Sequence, residues 1–206
     1  MGNIEILAFI LIAGSSIPYV IRIMRGQSFP SFTSWVLWLI NSITILITYE
    51  QVNGEENIWV VRASVLDTVI VVSVLLIQVV RQKTINIDSK DGLEVFCFIA
   101  TIILIFTTLT IKNIYEVSKI AFILAIIIEL LSAYPQMKIN FIEPEKEGPF
   151  AWIIYAFGYG LSLSLIENAT TEKMILPLFM VILYSIFSMP LIMHRIKNKS
   201  PIKDWI

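Results

Sequence analysis

The chain has one cysteine, Cys97, and one histidine, His194, in 206 residues. A single thiol excludes an internal disulfide and any multi-thiolate zinc or iron–sulfur site within one chain. A single imidazole, at the end of the last apolar run, leaves no nucleophile–base set and no ligand cluster, so no enzymatic chemistry, metal or cofactor is expected. Long polar stretches are scarce as well. The only one is RQKTINIDSKDG at 81–92, the sole candidate linker, and it leaves no room for a soluble domain. Charge of either sign is also in short supply: 15 basic and 16 acidic residues leave a net charge of −1.

What the chain has instead is apolar residues, 57 % of the total against about 45–50 % in soluble domains. A bilayer-spanning helix needs about 20 mostly apolar residues. Seven segments approach that length: 4–24, 32–49, 58–80, 93–111, 118–139, 149–166 and 174–193. The first lacks the basic start and small-residue cleavage pattern of a signal peptide, so it reads as a retained helix. Basic residues gather around 22–25, 81–90, 138–146 and 195–203, whereas only Lys112, Lys119 and Lys173 fall on the opposite side of a seven-span arrangement. The positive-inside tendency then puts the N-terminus outside and the C-terminus in the cytoplasm, and the plasma (inner) membrane is the expected location. Topology accounts for these basic clusters, so nucleic acid is not an expected partner.

The hydrophobic map of 4–80 recurs at 121–197, shifted by 117 positions, with Pro18 falling on Pro135 and Trp35 on Trp152. The fourth segment, GLEVFCFIATIILIFTTLTI, has no counterpart. An odd number of spans per repeat would invert the second copy, and one extra crossing restores its orientation, so the repeats are parallel. The expected fold is an all-α membrane protein of seven transmembrane helices as 3+1+3, two parallel three-helix bundles joined by a connector helix. The divisions are 1–83, the first repeat; 84–115, the connector; and 116–206, the second repeat with a basic tail.

Three helices, a connector and three more, with Pro135-Gln136 near the inner end of the helix opening the second unit, resemble the PQ-loop/SWEET superfamily. The first unit departs from the motif, carrying Pro18-Tyr19. The resemblance implies a small-molecule transporter for sugars or amino-acid-like metabolites, working by alternating access between the two bundles. Its partners would be a small solute and the lipid bilayer, with a homo-oligomer also compatible. The same fold serves a non-transporting receptor, and a receptor or assembly subunit is the alternative reading. The sugar clamp of the family is not evident: Ser64 and Val181 stand near its asparagine positions, and Ile45 and Ser162 near its deeper tryptophan positions.

Site candidates follow from the polar groups inside the spans. Asp67 and Glu129 lie near the midpoints of their segments, where a charge costs about 2.5–3.5 kcal/mol or more on insertion scales. Glu129 shares a helix face with Ala125, Ser132, Ala133 and Gln136, and Asp67 shares one with Ser64, Val71 and Gln78. The two carboxylates can bind a cationic group, accept from hydroxyls or exchange a proton; a buried acid that only joins helices is the bland alternative. Asn41, Tyr159, Ser162 and Tyr184 add polar groups that can line a path or bond a neighbouring helix. Pro18 and Pro135 are candidate hinges or simple helix terminators, with Gln136 beside the second. Trp35 and Trp152 are candidate inner gates or members of an interfacial aromatic belt.

Overall fold

The computed structural model describes residues 3–28, 32–55, 57–82, 92–110 and 114–205, and helices account for most of them. Apolar runs free of helix breakers over about 20 residues satisfy their backbone internally, which is why helix is the state a bilayer accepts. The long helices are α3 (Phe32–Asn53), α4 (Ile58–Gln82), α5 (Gly92–Thr110), α6 (Tyr115–Ile142), α7 (Pro149–Leu163) and α8 (Thr171–Lys197). The first segment is divided into α1 (Asn3–Gly14) and α2 (Ser16–Met24). Counting α1 and α2 as one interrupted helix, seven α-helices are present among the described residues, and five are long and apolar enough to cross a membrane: 3–24, 34–53, 58–77, 115–142 and 171–197. The other two are shorter. At about 1.5 Å per residue, the 15 residues of α7 extend about 22 Å, short of the roughly 30 Å of a hydrocarbon core. The chain is a helical membrane protein. Large apolar side chains displayed along α5, among them Phe96, Ile103 and Phe106 at 57 %, 61 % and 72 % exposure, suit a lipid solvent and would be untenable in water.

The division of the first segment has a local cause. Pro18 has no backbone N–H and its ring crowds the carbonyl four residues back, which belongs to Gly14. The helix is interrupted there, at Ser15, whose hydroxyl donates to Ile12 O at 2.5 Å. Pro135, 117 positions on, leaves α6 unbroken from Tyr115 to Ile142.

The chain groups into two compact units: residues 1–30 with 135–206, and residues 31–134. The first holds α1, α2, the end of α6, α7 and α8; the second holds α3, α4, α5 and most of α6. The first thus joins α1 and α2 to α7 and α8, and the second joins α3, α4 and α5 to α6 as far as Tyr134. In the first unit α7 packs on α8, α1 and α2. At Gly158 the approach is close: a Cβ would lie 2.8 Å from Ile12 Cγ1 and 3.3 Å from Ile12 N. A small residue is needed for helices this close. In the second unit α3 packs on α4 and α5.

Two helix ends in the first unit share one geometry. After α2, Gly26 takes φ +68°, its N–H reaches Ile23 O and the Gln27 N–H reaches Arg22 O. After α8, Lys199 takes φ 51°, its N–H reaches Ile196 O and the Ser200 N–H reaches Arg195 O. Both are Schellman turns, and each begins at an arginine. Glycine adopts the left-handed conformation freely, whereas lysine does so at a cost of about 1–2 kcal/mol. Lys199→Gly is therefore expected to raise the melting temperature of the detergent-solubilised protein by a few degrees, measured by thermal scanning against wild type.

Candidate functional site

In the second unit, α3 and α6 meet through one amide. Asn41 Nδ2 donates to Glu129 Oε2 at 2.6 Å and to Ala125 O at 3.0 Å. Asn41 is fully buried and Glu129 is 7 % exposed. The other end of the amide, Asn41 Oδ1, is buried with no hydrogen-bond partner among the described residues. A buried acceptor left unpaired costs about 1–3 kcal/mol, so the site has capacity for one more donor beside the carboxylate. Helix α4 of the same unit contributes Asp67, also fully buried, and Ser64, half-buried. The surrounding hydroxyls are occupied within their own helices: Thr44 donates to Ile40 O, Thr48 to Thr44 O and Ser132 to Glu129 O.

The sequence candidates thus divide. Asp67, Glu129, Ser64, Asn41 and Trp35 belong to the second unit; Tyr159, Ser162, Tyr184, Pro18, Pro135, Gln136 and Trp152 belong to the first. Asp67 of α4 and Glu129 of α6 fall in the same compact unit. Gln78 on the Asp67 face has no described side chain, and Arg62 is exposed.

In the first unit, Tyr184 of α8 stacks on Tyr155 of α7 with centroids 4.5 Å apart and planes 17° from parallel. Trp152 lies 5.9 Å and Tyr159 5.9 Å from the same ring. Tyr19 of α2 tilts against Trp152 at 5.7 Å. Each of these rings is at least nine-tenths buried, so they form an aromatic core joining α2, α7 and α8. Ser162 donates to Tyr159 O. Gln136 Nε2 donates to Asn140 Oδ1, and Asn140 Nδ2 to Phe187 O, tying α6 to α8. Trp35 and Trp38 are packed edge to face at 4.8 Å in the second unit and are buried, so neither is displayed in a surface belt.

One cluster has no counterpart in the sequence reasoning. Glu147, just before α7, is 1 % exposed and accepts a hydrogen bond from Ser28 Oγ at 2.7 Å. Arg195 Nη2 donates to Glu147 O at 3.0 Å and Glu145 O at 3.2 Å. Arg22 is 6 % exposed, and its side chain fills the space beside Gly148: a Cβ there would stand 2.8 Å from Arg22 Cδ and 2.8 Å from Trp205 O. Burial pushes the Glu147 carboxyl up to about 7, opposed by the Ser28 hydrogen bond, the Arg22 charge and the Gln136 amide. Arg22 and Arg195 read as topological charges in the sequence, and Glu147 sits among the charges of EPEKEG. The only local signal was glycine directly after that glutamate. Among the described residues no group of three or more histidine, cysteine, aspartate or glutamate side chains is placed to hold a metal.

No family model, curated protein or solved structure matches the chain. Its class therefore rests on composition and helices: a polytopic helical membrane protein.

Proposed function

We propose that the chain is a small-molecule membrane transporter for a sugar or amino-acid-like metabolite, working by alternating access and linked to protons. The observation that carries this reading is the Asn41–Glu129 pair together with Asp67: buried carboxyls inside apolar helices, one beside an amide with a spare acceptor. Intramembrane ionisable residues are retained where they serve a pathway or a proton relay. A solute bearing hydroxyl or ammonium donors would fill the spare acceptor and the carboxylate at once. In the full reading all seven helices cross the bilayer, the duplication is 3+1+3 with its PQ-loop-like motif at Pro135-Gln136, and the C-terminus is cytoplasmic.

The test is uptake of a panel of radiolabelled sugars and amino acids by proteoliposomes, with and without an inwardly acidic or alkaline pH gradient. At least one solute is expected to enter several times faster than into protein-free liposomes, and its rate to respond to the gradient. Uptake at the protein-free level for the whole panel, from protein that remains helical and monodisperse, would defeat the transport reading.

A further inference from the structure

We infer that Asn41 and Glu129 together recognise a primary ammonium group, which makes the solute of this unit an amine rather than a sugar. The assignment deepens the transport reading, on which the site's purpose rests. Its ground is the orientation of one amide. Both partners of Asn41 Nδ2 are acceptors, the carboxyl oxygen Glu129 Oε2 at 2.6 Å and the carbonyl oxygen of Ala125 at 3.0 Å. Exchanging the two ends of the amide would set its oxygen against both of them, so Oδ1 is the end that awaits a donor. Oδ1 is buried with no partner among the described residues, on a side chain with no exposure at all. Protein interiors pair such atoms with protein, water or an ion, so an open one marks a place for a further group.

The distances select that group. A planar amide holds its oxygen about 2.3 Å from its nitrogen, so Oδ1 lies at most about 4.9 Å from Glu129 Oε2. One nitrogen at about 2.8 Å from each oxygen, a usual charge-assisted length, spans that separation. An ammonium group supplies three N–H donors, enough for both oxygens. A hydroxyl supplies one and leaves one of the two unpaired. Charge points the same way. The Glu129 carboxyl accepts from the neutral Asn41 amide and is paired with no lysine or arginine among the described residues. A cation entering beside it supplies the opposite charge that a buried carboxylate needs, and even two sugar hydroxyls bring none. A quaternary ammonium carries the charge but no donor, and leaves Oδ1 open. The site therefore sorts amines by the N–H groups they keep as well as by charge.

The test is binding, read by saturation-transfer NMR on the full chain in detergent near neutral pH. The probes are ethanolamine, its N-methyl, N,N-dimethyl and N,N,N-trimethyl forms, all cations at that pH, and ethylene glycol as the uncharged counterpart. Ethanolamine is expected to bind, and the N-methyl form to bind about as well, since two N–H groups remain. The dimethyl and trimethyl forms and ethylene glycol are expected to bind weaker by roughly tenfold or more. Glu129→Gln, which still accepts from Asn41 Nδ2, is expected to weaken ethanolamine by a similar factor. No binding of ethanolamine to folded wild type, equal binding across the methylated series, ethylene glycol bound as tightly, or ethanolamine binding unchanged in Glu129→Gln overturns the assignment. If Glu129→Gln does not fold, the probe series on wild type decides alone. Binding is measured without transport, so the two readings fail separately. Sugar uptake by proteoliposomes without ethanolamine binding removes the amine and leaves the transporter, whereas the full binding pattern without uptake of any solute keeps the amine site and removes the transporter.

Discussion

Exchange of Glu129 for glutamine is expected to lower solute uptake by roughly tenfold to a hundredfold while leaving the melting temperature within a few degrees of wild type. Glutamine is close to isosteric and its carbonyl can take the hydrogen bond that Asn41 Nδ2 now gives at 2.6 Å, so the junction of α3 and α6 survives. What is lost is the charge and the capacity to release a proton. Hydrogen bonds to charged groups contribute about 1.5–3 kcal/mol against about 1 for neutral ones, and each 1.4 kcal/mol is a factor of about ten. Glu129→Ala separates the two roles, because it also strips Asn41 of a partner; it is expected to lower both uptake and melting temperature. Uptake at the wild-type rate in Glu129→Gln and in the parallel Asp67→Asn would remove these carboxyls from the mechanism.

The largest structural effect is expected at Gly158. In Gly158→Leu the side chain must enter space already held by Ile12, whose backbone nitrogen is 3.3 Å from the position of the new Cβ. Overpacking of this kind costs about 1–3 kcal/mol, more when backbone must move. Helix α1 is expected to separate from α7, seen as loss of monodisperse protein on size exclusion and a melting temperature lower by 10 °C or so. Gly160, two residues on, has nothing within 4 Å of its Cβ position. Gly160→Ala is therefore expected to be neutral or stabilising by up to about 1 kcal/mol, since alanine is the better helix former. Equal effects at the two positions would mean that the close approach of α1 and α7 is not what Gly158 serves.

The apolar runs made the helices legible, because a bilayer-length hydrophobic segment has one backbone solution. The runs at 4–24 and 149–166 were legible as helices but not in their detail: the interruption at Ser15 follows from Pro18, yet Pro135 in the same register interrupts nothing. A proline sets the local backbone problem, and neighbouring packing determines how it is solved. Asp67, Glu129 and Asn41 stood out because polar groups are conspicuous in apolar surroundings. Glu147 did not, for the converse reason: among the charges of EPEKEG a buried carboxyl looks like any other, and only the returning chain at Ser28 and Trp205 removes it from water. Which helices group together was beyond the pattern altogether, since an apolar face specifies that it must be covered but not by what.

The grouping of α1 and α2 with α7 and α8 has a consequence for how such a chain is made. The ribosome delivers α1 and α2 long before α7 and α8 exist, so the first helix must wait in the bilayer, without its eventual neighbours, while some 120 residues follow. A chain stopped after α6 would therefore hold α1 and α2 without α7 and α8, the helices with which they form a compact unit.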